Sequence, residues 1–530
     1  MKDLTRITRT VRRMLPWTAV LCLGVFIALP GRAATPPGHE LFSDGKIRTF
    51  KIDIAETPLS SLKKSEKTYV AATVTVDGLT FKDAGVHLKG MGSFQPLNQK
   101  PSFVIKFDKY TPDQRYLGLS KIMLNNSVQD STYLAELMAT QMFRDAGVPA
   151  ARVTHAFVEQ NGRKLGLYVL IEAMNKDFLK QHFKSSKGNL YEAYLQDIDQ
   201  TLDIDGGVDT SQSDRKRLLE ACKISNPLER WSKLPEILNV DKYISHCALE
   251  MFVAHTDGYA LNRNNYRIYH DPLTGRFTMI AHGLDWGFLN SGAPVRPPYN
   301  SIITRAVLGT PEGRREFRAR EELLFTNLFR LEVFSNRVSS AVSHLVAAAH
   351  DTNEARQFEG YGREMLTRLS ARHQVVSNQL AAPEPQPLRF DVDGIAQLPE
   401  LHPVKKAGTV ALELVRTNGR AEYGILSSGI GVIASWRTKV ILPPAKYRFI
   451  GELRTTKLVA DSGDTNATVC LRISGDKHPN KINGDLAASK LEHSFEVTVD
   501  GDERELVCEL RAHQGEVWFD TKSLRLAREK

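Results

Sequence analysis

Apolar and polar residues alternate along three early stretches of the chain, which is the pattern of strands with one buried face. The stretches cover residues 47–55, 69–90 and 102–110. Asp77-Gly78 and, further along, Asn161-Gly162 are dipeptides typical of hairpin turns. The first third of the chain is therefore predicted to be rich in antiparallel strands.

A helical period first interrupts these strands and later dominates the chain. Residues 131–147 place apolar side chains three or four positions apart, with Ser131 predicted as the N-cap and Gly147 as the residue after the helix. From Asp177 onward helices are expected to predominate. The most regular of them are predicted over residues 241–254, 331–350 and 363–381.

The pattern changes again after a proline-rich stretch. Residues 381–388 alternate proline with other residues, which is typical of a stiff, extended linker. Residues 389–530 then show short alternating runs broken by Gly, Asn, Asp and Pro. This pattern predicts an antiparallel β-sandwich, similar to a jelly roll. The predicted fold class is α+β, with a mixed domain at about 45–380 followed by the sandwich.

The first 33 residues change the interpretation of the charge. They combine basic residues with an apolar run from Trp17 to Leu29 and small residues near Ala33, which is typical of a cleaved export signal. An uncleaved anchor is the alternative. This stretch holds six of the 70 Lys and Arg and one of the 61 Asp and Glu, so its removal lowers the net charge from +9 to +4. We therefore expect an exported protein, periplasmic, at the cell surface or extracellular. We expect no nucleic-acid partner and no stable membrane span after cleavage.

Four cysteines lie outside the predicted signal, and none of them forms a CxxC pair. Zinc binding is therefore not supported. Cys470 and Cys508 fall on two strands of the predicted sandwich, and an oxidising compartment would allow them to pair. Two buried free thiols are the alternative.

Two polar motifs in the helical part match the chemistry of phosphate transfer. His255-Thr-Asp257, followed by Asn262, has the kinase spacing H-x-D-x-x-x-x-N, in which Asp accepts a proton from the attacking hydroxyl and Asn holds magnesium. Asp285-Trp286-Gly287 follows a predicted strand, where kinases place Asp-Phe-Gly to hold the metal. The two motifs occur in the kinase order.

The strand-rich part supplies candidates for the other pieces. Lys106 follows Val-Ile on a strand, like the lysine that holds the phosphates in kinases, and Glu136 on the next helix is its predicted partner. An exposed strand lysine and a surface carboxylate are the simpler interpretations.

A glycine turn and a strand end complete the set of candidates. The backbone N–H groups of Gly90, Gly92 and Ser93 are candidates to cover phosphates. Glu172 ends the apolar strand at the position of an adenine-binding hinge, although this strand is equally consistent with an ordinary buried strand.

The region from about 45 to 380 resembles the CotH (spore coat protein H) kinase family, an atypical branch of the protein-kinase fold. The stretches that carry the resemblance are residues 86–110, 137–158, 166–183, 188–193 and 257–288. The resemblance implies two lobes, at about 45–175 and 176–380. It also implies transfer of phosphate from ATP, with Mg²⁺ or Mn²⁺, to Ser or Thr of a protein substrate.

The resemblance also assigns roles to individual residues. Asp257 would be the catalytic Asp, Asp285 the metal-binding Asp and Lys106 the phosphate-holding Lys. Asn265 rivals Asn262 as the metal-binding Asn. Gly283 stands where the family usually has an additional Asp, so one carboxylate near the metal is expected to be missing.

Two alternatives to an active kinase follow from these observations. One is a catalytically dead kinase fold that binds cell-wall or extracellular polysaccharide through the sandwich, with Tyr447 and Trp518 stacking on sugars. The other is a metal-dependent hydrolase that uses His282 together with Asp257 and Asp285. An exported protein kinase is the preferred interpretation.

Overall fold

The computed structural model describes residues 35–529, apart from 208, 298, 383–386, 418, 461–467, 477–483 and 499–501. The predicted export signal, 1–33, and the centre of the predicted linker lie outside the described residues. Among the described helices, none combines the length and apolar character that a membrane crossing requires.

A closed barrel of seven strands forms the strand-rich part. Its strands are β1 (Arg48–Asp53), β2 (Val70–Val76), β3 (Leu79–Lys89), β4 (Ser102–Lys106), β5 (Lys121–Asn125), β6 (Val153–Gln160) and β7 (Arg163–Glu172). They follow the order β1-β2-β3-β4-β5-β7-β6, and β1 closes the barrel by pairing parallel to β6. Both predicted hairpin turns are confirmed, because Asp77, Gly78, Asn161 and Gly162 all have positive φ.

Three helices accompany the barrel. They are α1 (His39–Ser43), α2 (Glu56–Lys64) and α3 (Ala135–Asp145). Gly147 follows α3 with φ 72°, as predicted. The predicted N-cap Ser131 is wrong, because the Asp130 carboxylate accepts the Ala135 N–H at 2.9 Å and α3 begins at Ala135.

A four-stranded antiparallel sheet and nine helices follow the barrel among the described residues. The strands are β8 (Leu190–Ala193), β9 (Asp203–Gly206), β10 (Tyr266–Asp271) and β11 (Arg276–Ala281), in the order β11-β10-β8-β9. The helices are α4 (Lys176–His182), α5 (Ser213–Lys223), α6 (Pro227–Ile237), α7 (Val240–Phe252), α8 (Tyr259–Asn262), α9 (Ile302–Leu308), α10 (Pro311–Asn327), α11 (Leu331–Ala347) and α12 (Thr352–Leu380). The three most regular predicted helices are confirmed as α7, α11 and α12.

One outer face of the barrel packs against this second sheet. Val104 and Met123, directly opposite each other on β4 and β5, share a buried cluster with Tyr269 and Ile280 of β10 and β11. Side chains of one strand that are two residues apart point to the same face. The face of Val104 therefore also carries Lys106 and, across the β3–β4 pair, Lys89.

The C-terminal part forms a sandwich-like β region. Its strands are β12 (Ile395–Gln397), β13 (His402–Ala407), β14 (Val410–Thr417), β15 (Arg420–Ser427), β16 (Val432–Leu442), β17 (Ala445–Val459), β18 (Thr468–Ile473), β19 (Leu486–Val497), β20 (Asp502–Ala512), β21 (Gln514–Asp520) and β22 (Arg525–Arg528). One sheet has the order β12-β22-β17-β21-β15-β14, with β19 also paired to β17, and the other has the order β13-β16-β20-β18. Leu388 already donates its N–H to Ile441 of β16 at 2.9 Å, so the end of the predicted linker joins this region.

The aromatic residues proposed for sugar stacking are buried. Tyr447 is fully buried in the core, and its hydroxyl donates to the Pro443 carbonyl at 2.8 Å. Trp518 is 9% exposed, and the Arg454 guanidinium lies 4.8 Å from its ring centre. Neither ring presents a free face, so the predicted role of Tyr447 and Trp518 in sugar stacking is wrong.

The two cysteines of the β region are buried free thiols, which is the second of the two alternatives left open by the sequence. In the β18–β20 pairing, Cys508 lies opposite Leu471 and Cys470 lies opposite Glu509. Neighbours along a strand point to opposite faces, so Cys508 joins the core while Cys470 faces away from it. A disulfide would need the two Cβ atoms to approach each other.

Reductant should therefore leave the thermal stability of the protein unchanged. A disulfide between Cys470 and Cys508 would typically contribute about 2–4 kcal/mol. We expect the same melting temperature with and without reductant, measured by differential scanning fluorimetry on the full chain. A clear fall in melting temperature under reductant would show that the two thiols are linked.

Candidate functional site

The loop that carries Asp257 is held by a carboxylate at the end of α7. Glu250 is buried, and its two oxygens accept the backbone N–H groups of Tyr259 at 2.9 Å and Ala260 at 3.0 Å. These are orphan donors of the first turn of α8. Burial raises the pKa of Glu250 to about 7. The Glu250 carboxylate thus holds the C-terminal end of the loop between α7 and α8.

Three asparagine side chains hold the Asp257 carboxylate. Asn262 donates to Oδ1, while Asn264 and Asn265 donate to Oδ2 at 2.9 and 2.8 Å. Asn265 also donates to the Asp257 carbonyl at 3.2 Å. Because each amide directs its NH₂ group to Asp257, its carbonyl oxygen points elsewhere and remains a potential ligand for a cation. The structure therefore places both candidate metal-binding asparagines, Asn262 and Asn265, in contact with Asp257.

Asp285 lies in a 3₁₀ turn after β11, Leu284–Trp286, and is held by two amides from the barrel. Asn125, the last residue of β5, hydrogen-bonds to its carboxylate. With its amide oriented to form both bonds, Gln129 donates to Asp285 Oδ2 at 3.0 Å and accepts from Trp286 Nε1 at 3.3 Å. Sequence reasoning missed Asn125 and Gln129. The short polar run from Asn125 to Thr132, directly after a strand, was the available signal.

Glu136 interacts electrostatically with Asp285 and with Lys89, although Lys89 forms no ion pair within 4 Å with either carboxylate among the described residues. Burial and the neighbouring Asp285 raise the pKa of Glu136, and Lys89 opposes this shift. Burial lowers the pKa of Lys89, and the charges of Glu136 and Asp285 raise it. Lys89 therefore ends β3 within electrostatic reach of both carboxylates.

Lys106 does not reach Glu136. Its nearest carboxylate among the described residues is Asp108, at 3.9 Å, and its side chain is 39% exposed. On the shared barrel face, Lys89 lies opposite Ser102, four residues along β4 from Lys106. Four strand residues span about 13 Å, so the two lysines occupy different ends of the face. The predicted Lys106–Glu136 pair is wrong.

The predicted glycine turn comes next to this cluster. Gly90, Gly92 and Ser93 directly follow Lys89, and the Asn126 side chain donates to the Ser93 carbonyl at 3.2 Å. Gly90 has φ +116°, and a Cβ there would come within 3.0 Å of the Phe94 nitrogen. The position consequently requires glycine. The turn therefore directly follows Lys89, which interacts electrostatically with Glu136 and Asp285, and its role in covering phosphates stays a prediction.

Glu172 is occupied elsewhere. Its carboxylate accepts two hydrogen bonds from the Arg152 guanidinium, at 2.9 and 2.5 Å, and one from the Arg152 backbone at 3.1 Å. Both side chains are buried. The Glu172 side chain is therefore part of a structural ion pair, and its predicted contact with a nucleotide is not supported.

Gly283 is required by its own backbone and by Asn265. Its φ is +62°, and a Cβ would lie 2.7 Å from Asn265 Oδ1. An Asp at this position would strain the backbone and displace Asn265. The Asn265 carbonyl oxygen therefore lies beside Gly283, which is two residues before Asp285 in the sequence. This proximity favours Asn265 over Asn262 as the metal-binding Asn.

The cluster fits a divalent cation with a phosphate group. Glu136 Oε2 is buried and has no hydrogen-bond partner among the described residues, and it faces the Asp285 carboxylate. Carboxylate and amide oxygens are the ligands that Mg²⁺ prefers, and substrate phosphates supply its other contacts. Lys89 adds a cation for the phosphate oxygens.

The hydrolase alternative finds no support in the described part of the chain. No group of three or more His, Cys, Asp or Glu residues there has the geometry of a metal site.

The family follows from the match between this chain and a family model. The CotH kinase protein model matches residues 86–377, which include Lys89, Glu136, Asp257 and Asp285. The chain belongs to the CotH family. A similar curated protein is the inner spore coat protein H of Bacillus subtilis (strain 168), 24% identical over 263 residues, covering 45% of this chain and 71% of that protein.

Similar solved structures include two carbohydrate-binding modules. One is TmCBM61 in complex with β-1,4-galactotriose, 12% identical, TM-score 0.18, covering 24% of this chain and 88% of that chain. The other is the CBM22-1 xylan-binding domain of Paenibacillus barcinonensis Xyn10C. It is 14% identical, with a TM-score of 0.16, and the match covers 24% of this chain and 86% of that chain.

Proposed function

We propose that this protein is an exported protein kinase of the CotH type, which transfers the γ-phosphate of ATP to Ser or Thr of a protein. The observation that carries the proposal is the cluster of Lys89, Glu136 and Asp285 in a chain whose Asp257 loop has kinase spacing. In this proposal the barrel and the helical part act as the two lobes, and the cleft between them takes the nucleotide. Export is supported by the predicted signal and by the name of the spore coat relative.

Each residue then has one task. Asp285 and Asn265 would hold Mg²⁺, with Asn262 as the alternative amide, and the ion supplies charge neutralisation at the phosphates. Lys89 binds phosphate oxygens, and Glu136 keeps Lys89 in place. The backbone of the turn at Gly90, Gly92 and Ser93 covers the phosphates.

Asp257 acts on the acceptor. Its carboxylate accepts the proton of the Ser or Thr hydroxyl as the oxygen attacks the γ-phosphorus and the bond to the ADP oxygen breaks. The Asn262, Asn264 and Asn265 amides fix the carboxylate, so its orientation is set before the acceptor binds. The reaction yields ADP and a phosphorylated protein.

Nucleotide binding and phosphate transfer together test the proposal. We expect ATP with Mg²⁺ or Mn²⁺ to raise the melting temperature of the full exported chain, and γ-labelled ATP to label the protein or a Ser- and Thr-rich acceptor. Chelation with EDTA should remove both effects. A chain that shows neither effect with any divalent metal is not a kinase.

Carbohydrate binding by the C-terminal β region is the second candidate. It is supported by the antiparallel strand pattern of residues 389–530 and by the two-sheet arrangement of this region. Retardation of the full chain in gels that contain soluble polysaccharides measures such binding. Equal mobility with and without each polysaccharide would leave this candidate without support.

The buried carboxylate of Glu136 should make the apo protein less stable as pH rises. Its pKa in the folded protein lies above the ordinary 4.5 for Glu, so the fold binds more protons than the unfolded chain above about pH 4.5. The unfolding free energy therefore falls with increasing pH, and Glu250 and Glu321, with pKa values raised to about 7, act in the same direction.

Glu136→Gln should remove one of these contributions. We expect the melting temperature of Glu136→Gln, relative to wild type, to rise between pH 5 and pH 8. Glu56→Gln, at an exposed position on α2, is the control and should show a constant difference. A constant difference for Glu136→Gln as well would mean that Glu136 titrates normally.

A further inference from the structure

One arginine of α12 hydrogen-bonds to the backbone of both segments that carry the candidate site, beside the Asp257 loop and beside the Asp285 turn. Arg372 is fully buried, and its guanidinium donates to four backbone carbonyls. Two of them, Met251 at 2.5 Å and Phe252 at 3.0 Å, end α7 just before the Asp257 loop. The other two, Ser291 at 3.0 Å and Ala293 at 2.5 Å, follow the Asp285 turn.

This arrangement differs from that of two other buried arginines, Arg152 and Arg472. The Arg152 and Arg472 guanidiniums each form paired hydrogen bonds with a carboxylate. In the described part of the chain, Arg372 has no carboxylate within ion-pair distance and contacts carbonyl oxygens. Burial lowers its pKa to about 10, so it keeps its charge at neutral pH. The negative end of α7 favours a cation at this position.

The planar guanidinium explains why these contacts need arginine. Its N–H groups form a rigid fork, so carbonyls from two separate segments are held at a fixed spacing. The segments also meet directly, because the Phe288 N–H donates to the Val253 carbonyl at 2.6 Å. The position of the Asp257 loop relative to the Asp285 turn is therefore set at this junction.

We propose that Arg372 is a positioning residue for phosphate transfer, which sets the distance between the proton acceptor Asp257 and the metal-holding Asp285. This inference rests on the proposed kinase function. Arg372 touches neither loop's carboxylate and acts through the backbone. Misplacement of a reacting group by about 1 Å can cost about 100-fold in rate.

Arg372→Met and Arg372→Lys test the inference in the full chain. Met keeps much of the volume and loses every hydrogen bond, whereas Lys keeps the charge and loses the fork. Arg363→Met is the control, because Arg363 lies on the same helix with its side chain 72% exposed. We measure kcat, KM for ATP, KM for the acceptor and the shift in melting temperature with Mg²⁺ and ATP.

We expect kcat to fall about 10- to 100-fold in Arg372→Met and less in Arg372→Lys. The KM values and the nucleotide-induced thermal shift should stay within about threefold of wild type, because Lys89 and the glycine turn are untouched. A general loss of fold would instead reduce the active fraction and abolish the thermal shift. Arg363→Met should behave as wild type.

An Arg372→Met variant that is folded and keeps the kcat of Arg363→Met would overturn the inference. If Arg372→Met does not fold, Arg372→Lys decides, and an unchanged kcat in that variant has the same meaning. Wild type that neither binds nucleotide nor transfers phosphate overturns the proposed function itself. The two failures are therefore distinguishable.

Discussion

Asp257→Asn should abolish phosphate transfer and leave the nucleotide-induced thermal shift nearly intact. A proton acceptor contributes in the transition state, typically 10²- to 10⁴-fold in rate, and adds little to ground-state nucleotide binding. The substitution keeps the size of the side chain. It removes the negative charge of the carboxylate to which Asn264 and Asn265 donate.

The structure adds a second effect of the same substitution. Three amide NH₂ groups converge on the Asp257 carboxylate, so the NH₂ group of an Asn at this position must face another donor. Leaving a partly buried donor unsatisfied costs roughly 1–3 kcal/mol. The melting temperature without ligand should therefore fall, and the informative quantity is the shift caused by Mg²⁺ and ATP within each variant.

The control is Asp53→Asn, which replaces an exposed carboxylate on β1 with a carboxamide. It should change neither transfer nor the thermal shift. Transfer by Asp257→Asn at more than about a tenth of the wild-type rate would exclude Asp257 as the proton acceptor, given the magnitude that such groups contribute.

Lys89→Met should weaken both nucleotide binding and transfer, whereas Lys106→Met should affect neither. Lys89 ends β3 and interacts electrostatically with both Glu136 and Asp285, and in the proposed function it binds the phosphates. Loss of one preorganised donor to developing charge typically costs 10²- to 10³-fold in rate. Lys106 lies at the other end of the same barrel face, 39% exposed and near Asp108.

Lys89→Met and Lys106→Met form a matched comparison, because both lysines end a strand and both lie on the same outer face of the barrel. We expect kcat/KM for ATP to fall about 100-fold or more in Lys89→Met and to stay within about twofold in Lys106→Met. The opposite result would restore Lys106 as the phosphate-holding lysine and would mean that the cleft closes differently when nucleotide binds.

The choice between these lysines shows what the sequence could not decide. Lys106 follows Val-Ile on a strand, as in kinases, and this local signal is correct about the strand. Which strand end approaches α3 depends on the barrel order and on the β3–β4 register, and both are set by long-range pairing. Lys89 carries no local mark that separates it from an exposed lysine.

Local signals succeeded where the cause is local. The hairpins at Asp77-Gly78 and Asn161-Gly162 follow from the turn geometry that these residues favour. The roles of the Asp257 and Asp285 motifs stay predictions. The predicted nucleotide contact of Glu172 could not be judged from local sequence, because its partner, Arg152, lies at the other end of the β6–β7 hairpin. The N-cap prediction for Ser131 failed because α3 begins only at Ala135, and the Ser131 hydroxyl donates to Glu364 at 3.1 Å.

The four buried thiols make the protein a suitable host for site-specific labelling. Cys222, Cys247, Cys470 and Cys508 are all buried and unpaired, and burial raises the pKa of each thiol, which suppresses the reactive thiolate. A new cysteine at Leu289, which is 52% exposed and four residues after Asp285, would react far faster than these four. A fluorophore there would report nucleotide binding beside Asp285, with little competing reaction from the cysteines of the described residues.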